Sequence, residues 1–246
     1  MSAILQINGV SKSFGGIIAN QSITLSVANK QITGLIGPNG SGKTTLFNSI
    51  CGTHPIDEGS INFNGKEVST LPIPAVAKLG LLRTFQQTHI YGKLNCIQNM
   101  LISAKPKNDS LFSIFNKIPL DLNDEAEHLL EFVGLYQKRY LRAGDLSFGQ
   151  QKLLELAMAL MNKPKMLLLD EPTAGINPTL INGIIDRLIK VNEEYGITLL
   201  IIEHNMKVIM NLAEEIFCLT HGKLIAQGTP KEIKNDQKVI DAYLGK

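Results

Sequence analysis

Tryptophan is absent from this sequence of 246 residues, and cysteine is rare. Cys51, Cys96 and Cys218 are odd in number, widely spaced and free of any C-x-x-C pair. This pattern argues against a disulfide framework and indicates reduced thiols, packed as small hydrophobic side chains in a cytosolic compartment. A chain of this length buries enough surface to fold without disulfide or metal staples.

The sequence also lacks an excess of charge of either sign, because 24 lysines and arginines nearly balance 22 aspartates and glutamates. The net charge of +2 creates no strong positive field, so no nucleic-acid partner is predicted. Long hydrophobic runs are missing too: residues 166–169 and 197–202 are far shorter than the ~20 residues of a membrane span. The first nine residues have neither the basic nor the long apolar region of a secretory signal.

The apolar residues that are present follow two strand patterns. Ile23, Leu25 and Val27 alternate with polar residues, which predicts a half-buried antiparallel strand. Three other segments are continuous apolar runs, namely residues 32–36, 166–169 and 199–202. Runs of this kind predict parallel strands that are covered by helices on both faces of the sheet.

Segments with apolar residues three or four positions apart alternate with these runs. The positions of the three clearest faces are Leu129, Leu130 and Val133; Leu153, Leu156, Ala157 and Leu160; and Ile181, Ile184, Ile185, Leu188 and Val191. Alternating strands and helices predict an α/β fold with a mainly parallel sheet. We expect a core formed by residues 1–87 and 163–246, and an inserted helical subdomain at 88–162 that includes an irregular insertion at 105–123. A last short helix is expected over 230–243.

A glycine-rich loop follows the first apolar run. Residues 37–44, Gly-Pro-Asn-Gly-Ser-Gly-Lys-Thr, match the phosphate-loop pattern G-x-x-x-x-G-K-[ST] in full. Glycines let the backbone turn its N–H groups toward a phosphate chain, Lys43 supplies a charge for the outer phosphates, and the Thr44 hydroxyl suits Mg²⁺. The following helix directs its positive end at the same anion. Nucleotide contacts are therefore predicted from Asn39, Gly40, Ser41, Gly42, Lys43, Thr44 and Thr45.

An acidic pair ends the second apolar run. Asp170 is placed to hold Mg²⁺ through water, and Glu171 to orient or deprotonate an attacking water. Alone, an Asp-Glu-Pro triplet is more simply explained as a turn or helix start, but here it follows an apolar strand in a chain with a phosphate loop. The expected fold is an α/β P-loop NTPase core, with helices on both faces of a mainly parallel sheet, an antiparallel β subdomain and an inserted α-helical subdomain.

The segment Leu146-Ser147-Phe148-Gly149-Gln150-Gln151 resembles the signature motif of the nucleotide-binding subunits of ABC transporters, which starts a helix. The resemblance implies that Ser147, Gly149 and Gln150 contact the nucleotide held by the opposite subunit of a dimer. Phe148 departs from the more common glycine. Without the resemblance, a serine and a glycine here would only indicate a helix cap.

Four further landmarks carry the same resemblance. Gln86 is similar to the glutamine that reaches Mg²⁺ and water and couples to the membrane partner, with Gln87 as a competitor for that role. His204, after the third apolar run, matches the switch histidine that contacts the γ-phosphate. Phe14 matches the aromatic residue that stacks on adenine, although a buried core phenylalanine is the alternative. Asn177 stands in an interface loop where many relatives have aspartate.

Subfamily features resemble the ATPases of branched-chain amino-acid importers. They are Arg83-Thr84-Phe85-Gln86, the long insertion after Leu101, Ile202-Glu203-His204-Asn205-Met206 and the ending Ala242-Tyr243-Leu244-Gly245. ATPases of lipopolysaccharide export share the ending and a similar His-Asn pair, and urea-importer ATPases are also similar. Both stay open as alternatives.

The resemblance implies an ATP-binding and Mg²⁺-dependent ATP-hydrolysing motor, peripheral on the cytoplasmic face of a membrane, with Glu171, His204 and Gln86 as catalytic residues. Thr44, Gln86 and Asp170 are the implied Mg²⁺ ligands. The implied partners are a second copy or a paralogous ATPase subunit, transmembrane permease subunits and, indirectly, an extracytoplasmic substrate-binding protein. No nucleic acid is implied.

A non-transport ATPase of this family, acting on DNA or on ribosomes, is less favoured. Relatives that act on chromosomes insert a long coiled coil between the phosphate loop and the signature, whereas Leu146 follows Thr45 by only 101 positions. Relatives that act in translation usually carry two ATPase cassettes, and this chain has one phosphate loop. A simple P-loop kinase would not need the signature segment.

Overall fold

The computed structural model describes residues 2–84, 90–104 and 120–244, and internal packing divides the chain into two units. The first unit comprises Met1–Arg83, Lys165–Pro172 and Leu188–Lys246, and the second comprises Thr84–Pro164 and Thr173–Arg187. The expected domain boundaries near residues 88 and 162 stay a prediction.

The strands of the described residues are β1 (Ala3–Phe14), β2 (Ile17–Ala28), β3 (Ile32–Ile36), β4 (Glu58–Phe63), β5 (Lys66–Glu67), β6 (Leu81–Thr84), β7 (Met166–Asp170), β8 (Thr198–Ile202), β9 (Glu215–Thr220) and β10 (Lys223–Gly228). The α-helices of the same residues are α1 (Lys43–Ile50), α2 (Ile73–Lys78), α3 (Cys96–Ser103), α4 (Leu120–Phe132), α5 (Phe148–Leu160), α6 (Pro178–Tyr195), α7 (Met206–Leu212), α8 (Pro230–Asn235) and α9 (Gln237–Leu244). Short 3-10 turns occupy Tyr136–Lys138 and Ala143–Asp145.

Four strands form an antiparallel sheet in the order β2-β1-β4-β5. In β2 the side chains of Ile23, Leu25 and Val27 are buried, while Thr24 and Ser26 between them are exposed. This confirms the predicted alternation, because successive strand residues face opposite sides of a sheet.

The second sheet has six strands in the order β10-β9-β3-β8-β7-β6. β3 is parallel to β8 and β9, β7 is parallel to β8, and β10 is antiparallel to β9. All residues of β3, β7 and β8 are buried, as the continuous apolar runs predicted. Leu35 and Asp170 both pair with Ile202 in register, so the carboxyl ends of these three strands lie level.

The helix after the phosphate loop is held by the core of the first unit. Leu46, Phe47 and Ile50 of α1 are fully buried in one cluster with Phe63 and Phe217, which come from the two sheets. Truncation of a buried phenylalanine to alanine costs about 3–5 kcal/mol. The phosphate loop, which leads into α1, is therefore supported by a helix that is firmly packed in the core.

The carboxyl-terminal segment differs from the single helix that was predicted. It forms two helices, α8 and α9, separated by Asp236, whose backbone is extended. The Asp236 carboxylate accepts a 2.7 Å hydrogen bond from the N–H of Lys238 in the first turn of α9. A local side-chain bond of this kind favours a new helix start over continuation of the previous helix.

The second unit is mainly helical in its described residues. Asn95 and Ser147 cap α3 and α5, each in a reciprocal capping box with the glutamine three positions later. Most of the insertion predicted at 105–123 lies outside the described residues. The prediction was wrong for its last part, residues 120–123, which are helical. Helix α4 begins at Leu120 and buries a regular apolar face.

The three cysteines are free and buried. Burial raises the pKa of Cys51 to about 12 and that of Cys218 to about 11, so both are neutral, unreactive thiols near neutral pH. No helix within residues 2–84, 90–104 and 120–244 has the length and apolar character needed to cross a membrane.

Candidate functional site

The phosphate loop joins β3 to α1, and two of its glycines have no room for a side chain. Gly37 has φ 148°, and a Cβ there would lie 2.1 Å from the carbonyl oxygen of Leu219. Gly42 caps α1 with φ 99°, and its Cβ would lie 2.3 Å from the carbonyl oxygen of Ala19. Contacts below about 3 Å are repulsive, so the shape of this loop requires glycine at both positions.

Lys43 lies at the centre of the loop. Its Nζ donates to the carbonyl oxygens of Gly37 at 2.8 Å and Pro38 at 2.9 Å, and to Oγ of Ser41 at 3.3 Å. Burial lowers the pKa of Lys43, and the negative charges of Glu171 and Asp170 oppose that shift. The ammonium is thus desolvated and surrounded by oxygen acceptors, an arrangement that suits exchange for phosphate oxygens.

The other loop residues differ in exposure. Asn39, Gly40 and Thr44 are exposed, Thr45 is partly exposed and Ser41 is buried. Thr44 lies in the first turn of α1, near the backbone N–H groups that the start of a helix leaves without intrahelical partners.

The hydroxyl of Tyr243, in α9, accepts a 2.9 Å hydrogen bond from the N–H of Gly37. Burial raises the pKa of Tyr243 to about 12, so this hydroxyl is neutral in the physiological range. In the sequence, the segment around Tyr243 stands out only for its resemblance, and this contact was not predicted because 206 positions separate the two residues.

Asp170, the last residue of β7, is 3% exposed. Its Oδ2 accepts a 2.6 Å hydrogen bond from one terminal nitrogen of Arg83. The other terminal nitrogen of Arg83 donates to the side-chain oxygen of Asn48 in α1. Arg83 was predicted only as part of a subfamily motif, and this ion pair was not expected.

Glu171 and His204 are in direct contact. His204 Nε2 lies 2.6 Å from Oε1 of Glu171, at hydrogen-bonding distance. Glu171 has a left-handed backbone with φ 51°, an unfavourable conformation for this residue type, and its N–H donates to the carbonyl of Ile202 at 2.9 Å. Strain of this kind persists where surrounding contacts determine the geometry, and it clusters at functional sites.

A buried carboxylate holds the backbone of the His204 segment. Oε2 of Glu203, a residue that is 3% exposed, accepts the backbone N–H groups of His204 at 3.1 Å and Asn205 at 3.2 Å. The Asn205 side chain in turn caps α7. Glu203 was part of a predicted motif, but this positioning contact was not expected.

Phe14 lies at the β1–β2 turn and is 45% exposed, which excludes the alternative of a buried core residue. His54 meets its ring edge-on at a centroid distance of 5.2 Å, and Lys12 Nζ lies 5.2 Å from its centroid. Asp57 fixes the turn by pairing with Lys12 at 2.7 Å and accepting the N–H of Ser13 at 2.7 Å. Stacking of Phe14 on adenine stays a prediction.

The signature segment lies in the second unit and starts α5. Ser147 Oγ accepts the N–H of Gln150 at 3.4 Å, and Gln150 Oε1 accepts the N–H of Ser147 at 3.2 Å. Gly149 is buried in the first turn. Phe148 is 43% exposed, and its ring would lie 3.2 Å from a Cβ at Gly175, so the phenylalanine covers that glycine.

Asn177 uses its side-chain oxygen as a hydrogen-bond acceptor. Its Oδ1 accepts from N–H and Oγ1 of Thr179 at the start of α6, at 3.1 and 2.9 Å. Gln86 and Gln87 lie outside the described residues.

The donor set at the strand ends is compatible with Mg²⁺. It offers a buried carboxylate at Asp170 and a hydroxyl at Thr44, both hard oxygen ligands. Within the described ranges, no group of three or more His, Cys, Asp or Glu side chains could hold a metal by itself. Mg²⁺ bound with a nucleotide needs no such group, because phosphate oxygens and water complete its coordination.

The level carboxyl ends of β3, β7 and β8 thus carry a phosphate loop, a buried aspartate and a glutamate–histidine pair. Such a loop between a parallel strand and a helix, with an acidic residue on a neighbouring strand, defines a nucleotide-binding protein of the P-loop class. Comparison with known families narrows the class further. Residues 20–174 match the ABC transporter family, and residues 223–246 match a branched-chain amino acid ATP-binding cassette transporter family. The chain belongs to the ABC transporter family and is an ATP-hydrolysing transporter subunit.

Similar proteins agree with this assignment. BraF of Pseudomonas aeruginosa, named as a high-affinity branched-chain amino acid transport ATP-binding protein, is 36% identical over 98% of each chain. LivG of Escherichia coli K12, named in the same way, is 34% identical over 98% of each chain. A crystal structure of an ABC transporter's ATP-binding cassette in its ADP conformation superposes with a TM-score of 0.88, at 34% identity and complete coverage of both chains. The predicted family and α/β fold are therefore confirmed.

Proposed function

We propose that this protein is the Mg²⁺-dependent ATPase motor of an importer for branched-chain or related amino acids. The observation that carries the chemical part is the buried, acceptor-surrounded Lys43 beside a strained glutamate in contact with a histidine, all at one edge of the sheet. The amino-acid part is supported by the relatives named above and by the family match of residues 223–246.

The phosphate loop binds the triphosphate. Lys43 exchanges its carbonyl contacts for β- and γ-phosphate oxygens, and N–H groups of the loop and of the first turn of α1 cradle the chain. Thr44 and Asp170 would hold Mg²⁺, with Gln86 as a further ligand. When bound, Mg²⁺ neutralises charge on the outer phosphates.

Glu171 is the general base, and His204 positions it. The carboxylate orients a water molecule toward the γ-phosphorus and accepts its proton as the P–O bond to the leaving ADP breaks. The hydrogen bond from the imidazole restrains the carboxylate in the single chain, and the same N–H is the donor that His204 offers to the γ-phosphate when ATP binds.

Each active site is completed by a second subunit, either another copy or a paralogue. Ser147, Gly149 and Gln150 contact the γ-phosphate of the ATP that is bound to the opposite subunit. Phe14 stacks on the adenine of the ATP that is bound to its own subunit. The Gln150 side chain, which bonds back to Ser147 in the single chain, is one group that changes partner on dimerisation. Closure on ATP and opening after hydrolysis drive transmembrane permease subunits from the cytoplasmic face, and an extracytoplasmic binding protein delivers the substrate.

The substrate is tested by uptake in cells of the native host that carry Glu171→Gln at the chromosomal locus. We expect loss of radiolabelled leucine, isoleucine and valine uptake, because hydrolysis stops while the subunit still assembles. The matched control is Glu131→Gln, at the end of α4. Normal leucine uptake would refute the proposed substrate; loss of urea uptake or of lipopolysaccharide export would identify one of the two alternatives.

A further inference from the structure

Arg83 joins three elements that meet beneath the nucleotide site. It lies in β6, and its two terminal nitrogens bond Asn48 of α1 and Asp170 of β7. Its guanidinium carbon also lies 5.7 Å from the ring centroid of Phe47, a fully buried residue of α1. One side chain therefore ties the helix that follows the phosphate loop to the aspartate that ends the neighbouring strand.

The geometry of this contact requires an arginine. Side-chain exposure is 10% for Arg83 and 3% for Asp170, so the ion pair is shielded from water. A guanidinium presents its donors in a rigid planar fork, and each arm here has a different acceptor. A lysine has the same charge, but its single nitrogen cannot replace the two separate arms of the guanidinium together with the packing beside Phe47.

The contact also restrains the carboxylate of Asp170. Arg83 bonds Oδ2 of Asp170, and this bond restricts rotation of the carboxyl group, so that Oδ1 is directed elsewhere. Carboxylates that ligate metals are commonly oriented by a hydrogen bond of this kind, and loss of the orienting partner costs about 10–100-fold in metal affinity or activity.

We propose that Arg83 is a positioning residue that orients Asp170 toward Mg²⁺-bound nucleotide and couples that orientation to α1. The proposal rests on the proposed function, because it assumes that Asp170 acts on the metal. It does not concern direct contact with ATP, which the loop and Lys43 provide.

The test compares ATP affinity with and without the metal. Binding of a fluorescent ATP analogue is titrated in excess Mg²⁺ and again in EDTA, for wild type, Arg83→Lys and the exposed control Arg142→Lys. Arg83→Lys keeps the charge, so the comparison isolates geometry. We expect affinity in Mg²⁺ to fall about tenfold in Arg83→Lys and affinity in EDTA to stay within about twofold of wild type. Arg142→Lys should match wild type in both.

A second variant keeps the test decisive if Arg83→Lys fails to fold, which circular dichroism would reveal. Asn48→Ala removes one of the two acceptors but leaves the Arg83–Asp170 pair in place. We expect a smaller loss of affinity, about three- to fivefold and again confined to Mg²⁺, because the guanidinium keeps one of its two anchors.

Two results would overturn the proposal. Equal loss of affinity in Mg²⁺ and EDTA would make Arg83 a support of the whole loop, and no loss in either would make the ion pair irrelevant to the site. Failure of the proposed function is distinguishable, because wild type itself would then bind no ATP in either condition.

Discussion

Removal of one hydroxyl, by Tyr243→Phe, tests whether α9 supports the phosphate loop. The variant keeps the aromatic ring and takes away only the acceptor for the N–H of Gly37. Gly37 is buried, and the carbonyl of Leu219 stands against its α-carbon, so the loop has little freedom to find another acceptor. A buried donor left without a partner costs about 1–3 kcal/mol.

This cost appears in one of two measurements. If the loop keeps its shape, the free energy of unfolding falls by the whole amount, and Tm falls by about 2–4 °C per kcal/mol in a chain of this size. If the loop relaxes so that water reaches the N–H, nucleotide binding must restore the original shape. ATP affinity then falls by roughly fivefold per kcal/mol.

The assay combines thermal unfolding with titration of a fluorescent ATP analogue. Tyr140→Phe is the matched control, because that tyrosine is 67% exposed and lies in the second unit. Since burial raises the pKa of Tyr243 to about 12, the difference should be the same at pH 7 and pH 9. Tm and affinity both equal to those of the control would refute the supporting role of α9.

Three further predictions concern the site and its surroundings. Glu171→Gln should bind ATP normally but hydrolyse it about 10²–10⁴-fold more slowly, and size-exclusion chromatography should detect an ATP-bound dimer; normal turnover would exclude Glu171 as the base. Lys43→Ala should weaken ATP binding itself, and an unchanged dissociation constant would contradict the role of the loop. Hydrogen bonds from Lys12 and Ser13 lower the pKa of Asp57 from 3.8 to about 2, so the stability it contributes is complete above about pH 4 and is lost as the pH falls through 2. The Tm difference between wild type and Asp57→Asn should therefore shrink below pH 4; a constant difference would show that the carboxylate charge is not involved.

Much of the fold could be predicted because its signals are local. The buried strands β3, β7 and β8 are continuous apolar runs, and the helical faces repeat every three or four residues, as secondary structure itself requires. The two local errors arose at helix boundaries. Asp236 starts a new helix through a single side-chain bond, and α4 begins at Leu120 inside a segment with little periodicity. Boundaries of this kind depend on individual caps rather than on a repeated pattern.

The sequence by itself determined the chemistry of the site, since phosphate binding depends on contiguous residues such as Gly37 to Thr44 and on an acidic pair directly after a strand. Only the tertiary structure decided which other residues support that chemistry. Arg83 reaches Asp170 across 87 positions, and Tyr243 reaches Gly37 across 206. These contacts exist because β6 and β7 are neighbours in one sheet and a later helix packs beside the phosphate loop. No local periodicity encodes such a meeting of distant segments.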